Sequence, residues 1–143
     1  MRNQMEWLEE LEKGMFFMDS DVEYKGKPNL IADKSFDFAL SIMAFCKELN
    51  SLKEFEISRQ IFRSGTSIGA NVSEATAAQT KKDFIAKMAI ASKEARETQY
   101  WLKLILKNES IPVQVNPLLQ NCNELVRILT AIVKTAQFNS KTN

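Results

Sequence analysis

From Phe84 to Ile105, Phe84, Met88, Ala91, Ala95, Thr98, Leu102 and Ile105 follow one another at spacings of 4, 3, 4, 3, 4 and 3. Steps of this kind place every member on one side of an α-helix and on alternating sides of nothing else, which makes a heptad-like seam. A second run, Leu118, Cys122, Leu125, Leu129, Ile132 and Ala136, steps by 4, 3, 4, 3 and 4, and Leu119, Val126 and Val133 widen its stripe. Two long helices with one apolar side each must bury those sides against other helices. The rest of the chain agrees, because four glycines and three prolines in 143 residues supply too few breakers for the turns of a β-sandwich or barrel. An apolar fraction of 45%, with nine Phe and two Trp, fills the core of one domain.

Two further helices precede these. The first is expected from about Lys34 to Leu49 with Asp33 as its N-cap, and its apolar residues fall on two lines, Phe36, Leu40 and Met43 on one and Phe38, Ile42, Phe45 and Leu49 on the other. Such a helix has two faces to bury: one toward the bundle and one toward either the N-terminal leader or another subunit. Phe38 and Phe45, together with Trp101 of the third helix, are the candidate interface residues. The second helix is expected to open on a capping box, Ser51 with Glu54, and to run to about Ala78 along Ile57, Ile61, Ile68 and Val72. Its middle, Ser64 to Ala70, is built of small residues and holds Gly65 and Gly69. Each glycine costs a helix roughly 1 kcal/mol relative to Ala, so their presence points to a close helix–helix approach, or else to a break between two shorter helices. The third helix starts at Thr80 and Asp83 and ends near Lys107; the fourth starts with Asn116 as N-cap and Pro117 at the first position, where a missing amide costs nothing. The expected architecture is an all-α, antiparallel up-down-up-down four-helix bundle over residues 33–139, with a four-residue tail at 140–143. Before it lies a leader, residues 1–32, holding a short amphipathic helix near Met5 to Leu11 and a linker from Asp19 to Pro28.

The chain has no histidine. That removes Ser-His-Asp and Cys-His nucleophiles, the commonest general base and most zinc sites. Cys46 and Cys122 are far apart, without CxxC spacing, and each sits in an apolar helical context, as expected of buried free thiols in a reducing cytoplasm. Neither a signal peptide nor a membrane-spanning segment is expected, since the N-terminus is acidic and no long uncharged apolar run occurs. The net charge of +1 conceals an asymmetry: residues 1–33 carry four basic and eight acidic side chains, and residues 34–143 carry fifteen and ten. A basic body points toward a polyanionic partner.

The stretch Gln60 to Ala75, QIFRSGTSIGANVSEA, resembles the central motif of the bacterial four-helix-bundle proteins called 23S rRNA intervening-sequence proteins, approximately Q-L-R-R-A-A-x-S-I-x-x-N-I-A-E-G. Gln60, Arg63, Ser67, Ile68, Asn71 and Glu74 match in register, and the following helix is similar at Phe84, Ile90, Ala91, Lys93, Glu94, Glu97, Thr98 and Tyr100 to Leu102. The likeness spans about residues 33 to 138. Ala75 departs from the family's glycine, which bears on where the second helix ends. The resemblance implies a four-helix bundle that forms a homo-oligomer, often a ring-like pentamer. Some members are encoded within segments inserted in large-subunit ribosomal RNA genes, and a relative, the accessory protein of diversity-generating retroelements, is a basic pentamer acting with a reverse transcriptase and nucleic acid.

Two constellations are candidate sites. Arg63, Ser67, Asn71 and Glu74 step along one face of the second helix, with Gln60 one turn earlier, and Glu94 and Glu97 of the third helix are placed to face them. They form either a ligand site or an interhelical network that fixes register. A di-metal carboxylate centre is excluded for want of Glu-x-x-His pairs; no metal or other cofactor is expected, and nothing in the spacing suggests a carboxylate-only acid/base pocket. On the third helix, Lys93, Arg96, Tyr100, Lys103 and Lys107 form a basic stripe with one aromatic, opposite the seam. Such a stripe meets phosphates while the ring stacks on a base, or else is a solvated face that keeps the bundle soluble. The function expected is interaction, not catalysis: a homo-oligomer whose first candidate partner is RNA or a ribonucleoprotein, or alternatively a protein scaffold.

Overall fold

Four helices make up nearly all of residues 30–142, the part of the chain that the computed structural model describes: α1 (Leu30–Ser51), α2 (Phe55–Thr76), α3 (Lys81–Lys107) and α4 (Asn116–Thr142). The short helix and linker expected before residue 30 lie outside the described residues. Each helix packs on the next and α1 also meets α4, which closes an antiparallel up-down-up-down four-helix bundle. In this order α1 and α3 occupy opposite corners.

The seams read from the spacing form the core. Phe84, Met88, Ala91, Ala95, Thr98, Leu102 and Ile105 of α3 are all buried, and so are Leu118, Cys122, Leu125, Leu129, Ile132 and Ala136 of α4. Of the two apolar lines on α1, Phe38, Ile42, Phe45 and Leu49 point inward, while Phe36, Leu40 and Met43 face out at 63%, 53% and 45% exposure. Four hydroxyl side chains are buried, Ser35, Ser58, Ser64 and Thr98, and the last two meet each other. Thr98 Oγ1 is 2.8 Å from both Ser64 Oγ and the Glu94 carbonyl, so each is partnered in a place where an unpaired polar group would cost about 1–3 kcal/mol.

α2 is one continuous helix through Gly65 and Gly69. A methyl group on Gly65 would sit 2.7 Å from Ile42 Cγ1, and one on Gly69 would sit 3.1 Å from the Ser35 carbonyl oxygen. The absent side chains are what let α1 approach this closely.

Both ends of α1, both ends of α2 and the start of α4 differ from expectation. α1 is longer at both ends than 34–49: it includes Leu30 to Ala32, with Ile31 in the core, and continues through Ser51. The capping box does not form. The Ser51 hydroxyl donates to the Glu48 carbonyl at 2.6 Å, and Glu54 precedes α2 with no side-chain cap. Instead, the Glu54 amide bonds the Leu49 carbonyl at 2.9 Å, and the Lys53 amide bonds the Asn50 carbonyl at 3.0 Å, with Lys53 at φ 62°. This is a Schellman closure, here with lysine at the left-handed position that glycine usually takes. α2 stops at Thr76, not Ala78, as the Ala77 and Ala78 amides tighten onto the Glu74 and Ala75 carbonyls. Thr80 does cap α3, its hydroxyl accepting from the Asp83 amide at 3.1 Å. For α4, the first helical bond runs from the Leu119 amide to the Val115 carbonyl, which puts Asn116 inside the first turn with Pro117.

Candidate functional site

α3 presents Lys93, Arg96, Tyr100, Lys103 and Lys107 to solvent. The i+3 and i+4 steps between them keep all five along the outer side, away from the buried seam. Arg96 reaches across to α4, its Nη2 donating to Thr130 Oγ1 at 3.1 Å. One turn to either side of Thr130, on the same stripe of α4, stand Arg127 and Lys134, both exposed. The basic surface therefore continues from α3 onto α4, an extension invisible in the spacing of either helix alone. Charge is divided accordingly among the helices: α3 carries seven basic and three acidic side chains and α4 three and one, against two and three on α1 and two and two on α2.

Two of the three acidic residues of α3 are already engaged. Arg63 of α2 places Nη1 3.5 Å from Glu94 Oε2 and hydrogen-bonds Glu97 Oε1 through Nη2. Glu97 also accepts from Trp101 Nε1 at 3.3 Å. The Arg63 hydrogen bond, working against partial burial and aided by Trp101, holds the Glu97 carboxyl below the usual carboxylate range, and the same bond raises Arg63 further above neutrality. The family-motif residues thus separate into different jobs. Arg63, Glu94 and Glu97 come together across the α2–α3 seam. Glu74 meets Lys87 Nζ at 2.7 Å, one end further along the same pair of helices. The Ser67 hydroxyl turns back to the Arg63 carbonyl, and Asn71 Nδ2 donates to the Ser67 carbonyl at 2.8 Å. Gln60 is exposed. These residues do not converge on one concave site.

The aromatic interface candidates need correcting. Phe38 and Phe45 are 3% and 7% exposed, so they belong to the core of this chain and are not available to another copy. Trp101 is half-buried, packed against the core and tied to Glu97 by its N–H. On α1 the apolar residues that face out are those of the other line, and Phe62 of α2 is also exposed, at 44%. Spacing showed two lines on α1 and offered no means of choosing between them; the approach of Gly65 to Ile42 makes the choice.

Between α1 and α2 runs an open groove of about 500 Å³, where Phe36 and Ala39 face Thr66, Gly69, Ala70 and Ser73. Its walls carry small side chains and a single carboxylate, Asp33, which is poor equipment for acid/base chemistry. The thiols are no better placed as nucleophiles. Burial pushes Cys122 up to about 12 and raises Cys46 as well, and both are free and buried. Among the described residues no three His, Cys, Asp or Glu side chains gather as metal ligands would, and no helix is long and apolar enough to cross a membrane.

Comparison with known proteins places this geometry in a family. No curated protein matches the chain. A crystal structure of a protein of unknown function from the S23 ribosomal protein family of Bacteroides thetaiotaomicron is similar with a TM-score of 0.70 at 47% sequence identity, covering 73% of this chain and 99% of that one. The model of the 23S rRNA-intervening sequence protein family matches residues 27–131, a span that takes in all of α1, α2 and α3 and over half of α4. The chain belongs to the 23S rRNA-intervening sequence protein family.

Proposed function

We propose that this protein is a non-enzymatic, self-associating helical bundle that binds RNA or a ribonucleoprotein through the basic side formed by α3 and α4. The observation that carries this reading is the exposed stripe Lys93, Arg96, Lys103 and Lys107, extended by Arg127 and Lys134, with Glu94 and Glu97 beside it both turned toward Arg63 of α2. Cations gathered in this way attract a polyphosphate by releasing its condensed counterions. The location of the apolar surface supports the same reading. Phe36, Leu40 and Met43 project from α1, the corner of the bundle opposite α3, so copies that associate through α1 leave the basic side free. Several modest stripes in one particle then act together, because after the first contact each further one is intramolecular.

Retention of RNA by the full-length chain should be strong at about 50 mM salt and fall steeply by about 200 mM. Reversing Lys93, Arg96, Lys103 and Lys107 to Glu should abolish retention, with circular dichroism and particle mass unchanged. Absence of any RNA or DNA retention at low salt would refute the reading. The exposed α1 line would then favour a second one, a protein scaffold that assembles without nucleic acid.

A further inference from the structure

The stripe on α3 is not only cationic. Ile90, Tyr100 and Leu104 stand on the same outer side at 42%, 56% and 42% exposure, interleaved with Lys93 and Lys107. A partner that satisfies both kinds of side chain must show phosphates and apolar faces together. Duplex RNA does not. Its base faces are stacked inside the helix, its major groove is too deep and narrow for side chains to read, and its minor groove offers hydroxyls and phosphates. A single strand shows both, phosphates along its backbone and unstacked bases beside them.

The aromatic of this stripe is also held in place. The Tyr100 ring lies edge-on to Trp101, with centroids 5.1 Å apart and planes at 67°. Trp101 is fixed through its N–H to Glu97 at 3.3 Å, and Glu97 is fixed by Arg63 from the neighbouring helix. A ring resting on an anchored neighbour has less rotamer freedom to lose when a base stacks on it.

We infer that the outer side of α3 is a track for single-stranded RNA, in which Tyr100 is the base-stacking platform and Leu104 its apolar neighbour. Lys93, Arg96, Lys103 and Lys107 take the phosphates. Arg63, Glu97 and Trp101 are positioning residues that set the Tyr100 ring. From Lys93 to Lys107 the track is about 21 Å long, room for only a few nucleotides on each copy. This inference rests on the nucleic-acid reading above and adds to it a choice of strandedness and the residue that makes the choice.

The test compares a labelled oligouridine strand with a blunt RNA duplex of equal length, titrated by fluorescence anisotropy with the full-length protein at low salt. The strand should bind about tenfold more tightly. Tyr100→Ala should weaken strand binding by roughly 5- to 150-fold, the range for losing one base–aromatic stack, and leave duplex affinity and the salt dependence of both unchanged. Tyr100→Phe should retain the preference, and Glu97→Gln should lower the strand-to-duplex ratio by a few fold without changing duplex binding. Equal affinity for the two forms, with Tyr100→Ala altering neither, would overturn this inference and leave the basic-surface reading standing. Failure to bind either form would overturn both.

Discussion

At the scale of single residues, the polar motif of α2 has a division of labour that its spacing does not reveal. Arg63, Ser67, Asn71 and Glu74 share a helix face, yet only Arg63 and Glu74 reach α3, and Ser67 and Asn71 bond their own backbone. The tie between Arg63 and Glu97 makes a pH-dependent contribution. A carboxylate held below its ordinary value of about 4.3 stabilises the fold above that value, and the stabilisation is lost as the pH falls through the lowered one. Arg63 is half-exposed, so solvent screens the pair and its worth at neutral pH is at most about 1 kcal/mol. Glu97→Gln should therefore lower the melting temperature slightly at neutral pH, and the difference from the parent should shrink as the pH falls below the ordinary carboxylate range and Glu97 is protonated. Melting curves across that range check it, and a difference that persists unchanged in acid would show that the carboxylate's charge is not what matters.

At the scale of elements, periodicity was a good guide to helix faces and a poor one to helix ends. The seams of α3 and α4 were legible because a core-facing stripe repeats along the whole helix: every residue on the alternating 4 and 3 steps is buried, and Val126 and Val133, which widen the α4 stripe, are half-buried against the core. The Ser51–Glu54 box was legible and misleading. Continuing α1 past Leu49, a fully buried residue, allows the Glu54 amide to close onto the Leu49 carbonyl, and that closure uses the segment in which the cap would have formed. No glycine marks the end, since Lys53 takes the left-handed conformation itself. Gly65 tests what holds α1 against α2. Alanine favours helix by about 1 kcal/mol, but its methyl would lie 2.7 Å from Cγ1 and 2.9 Å from Cδ1 and Cγ2 of Ile42, a side chain with no exposure. Overpacking of this kind costs about 1–3 kcal/mol, so Gly65→Ala should destabilise by about 1 kcal/mol net and lower the midpoint of urea unfolding. An increased midpoint would mean that α1 yields easily and that the small residues of α2 serve something other than close packing.

At the scale of the whole molecule, the four corners of the bundle are unequal. α1 exposes an apolar line, and α3, diagonally across, exposes a cationic one. An outward row of Phe36, Leu40 and Met43 with Phe62 nearby is the kind of surface that marks association. Sedimentation or light scattering at micromolar concentration should give a multiple of the protomer mass, and Leu40→Glu should reduce it to one protomer. Because Leu40 is 53% exposed in the protomer, the variant should keep its helical circular dichroism. A monomeric mass for the parent chain would refute association through α1.

The repeating spacings, the scarcity of glycine and proline and the absence of histidine were enough to determine four helices, their antiparallel bundle, most of the core and the exclusion of histidine chemistry. These are local properties, since a helix face is defined by residues within a few turns of one another. The tertiary structure alone decided which apolar line of α1 faces inward, which carboxylates Arg63 engages, and that the basic stripe of α3 continues onto Arg127 and Lys134 of α4. Each of these depends on how far one helix is slid and rotated against its neighbour. That register is set by contacts such as Gly65 on Ile42 and Gly69 on the backbone of Ser35, between residues remote in the chain, which no periodicity within a single helix encodes.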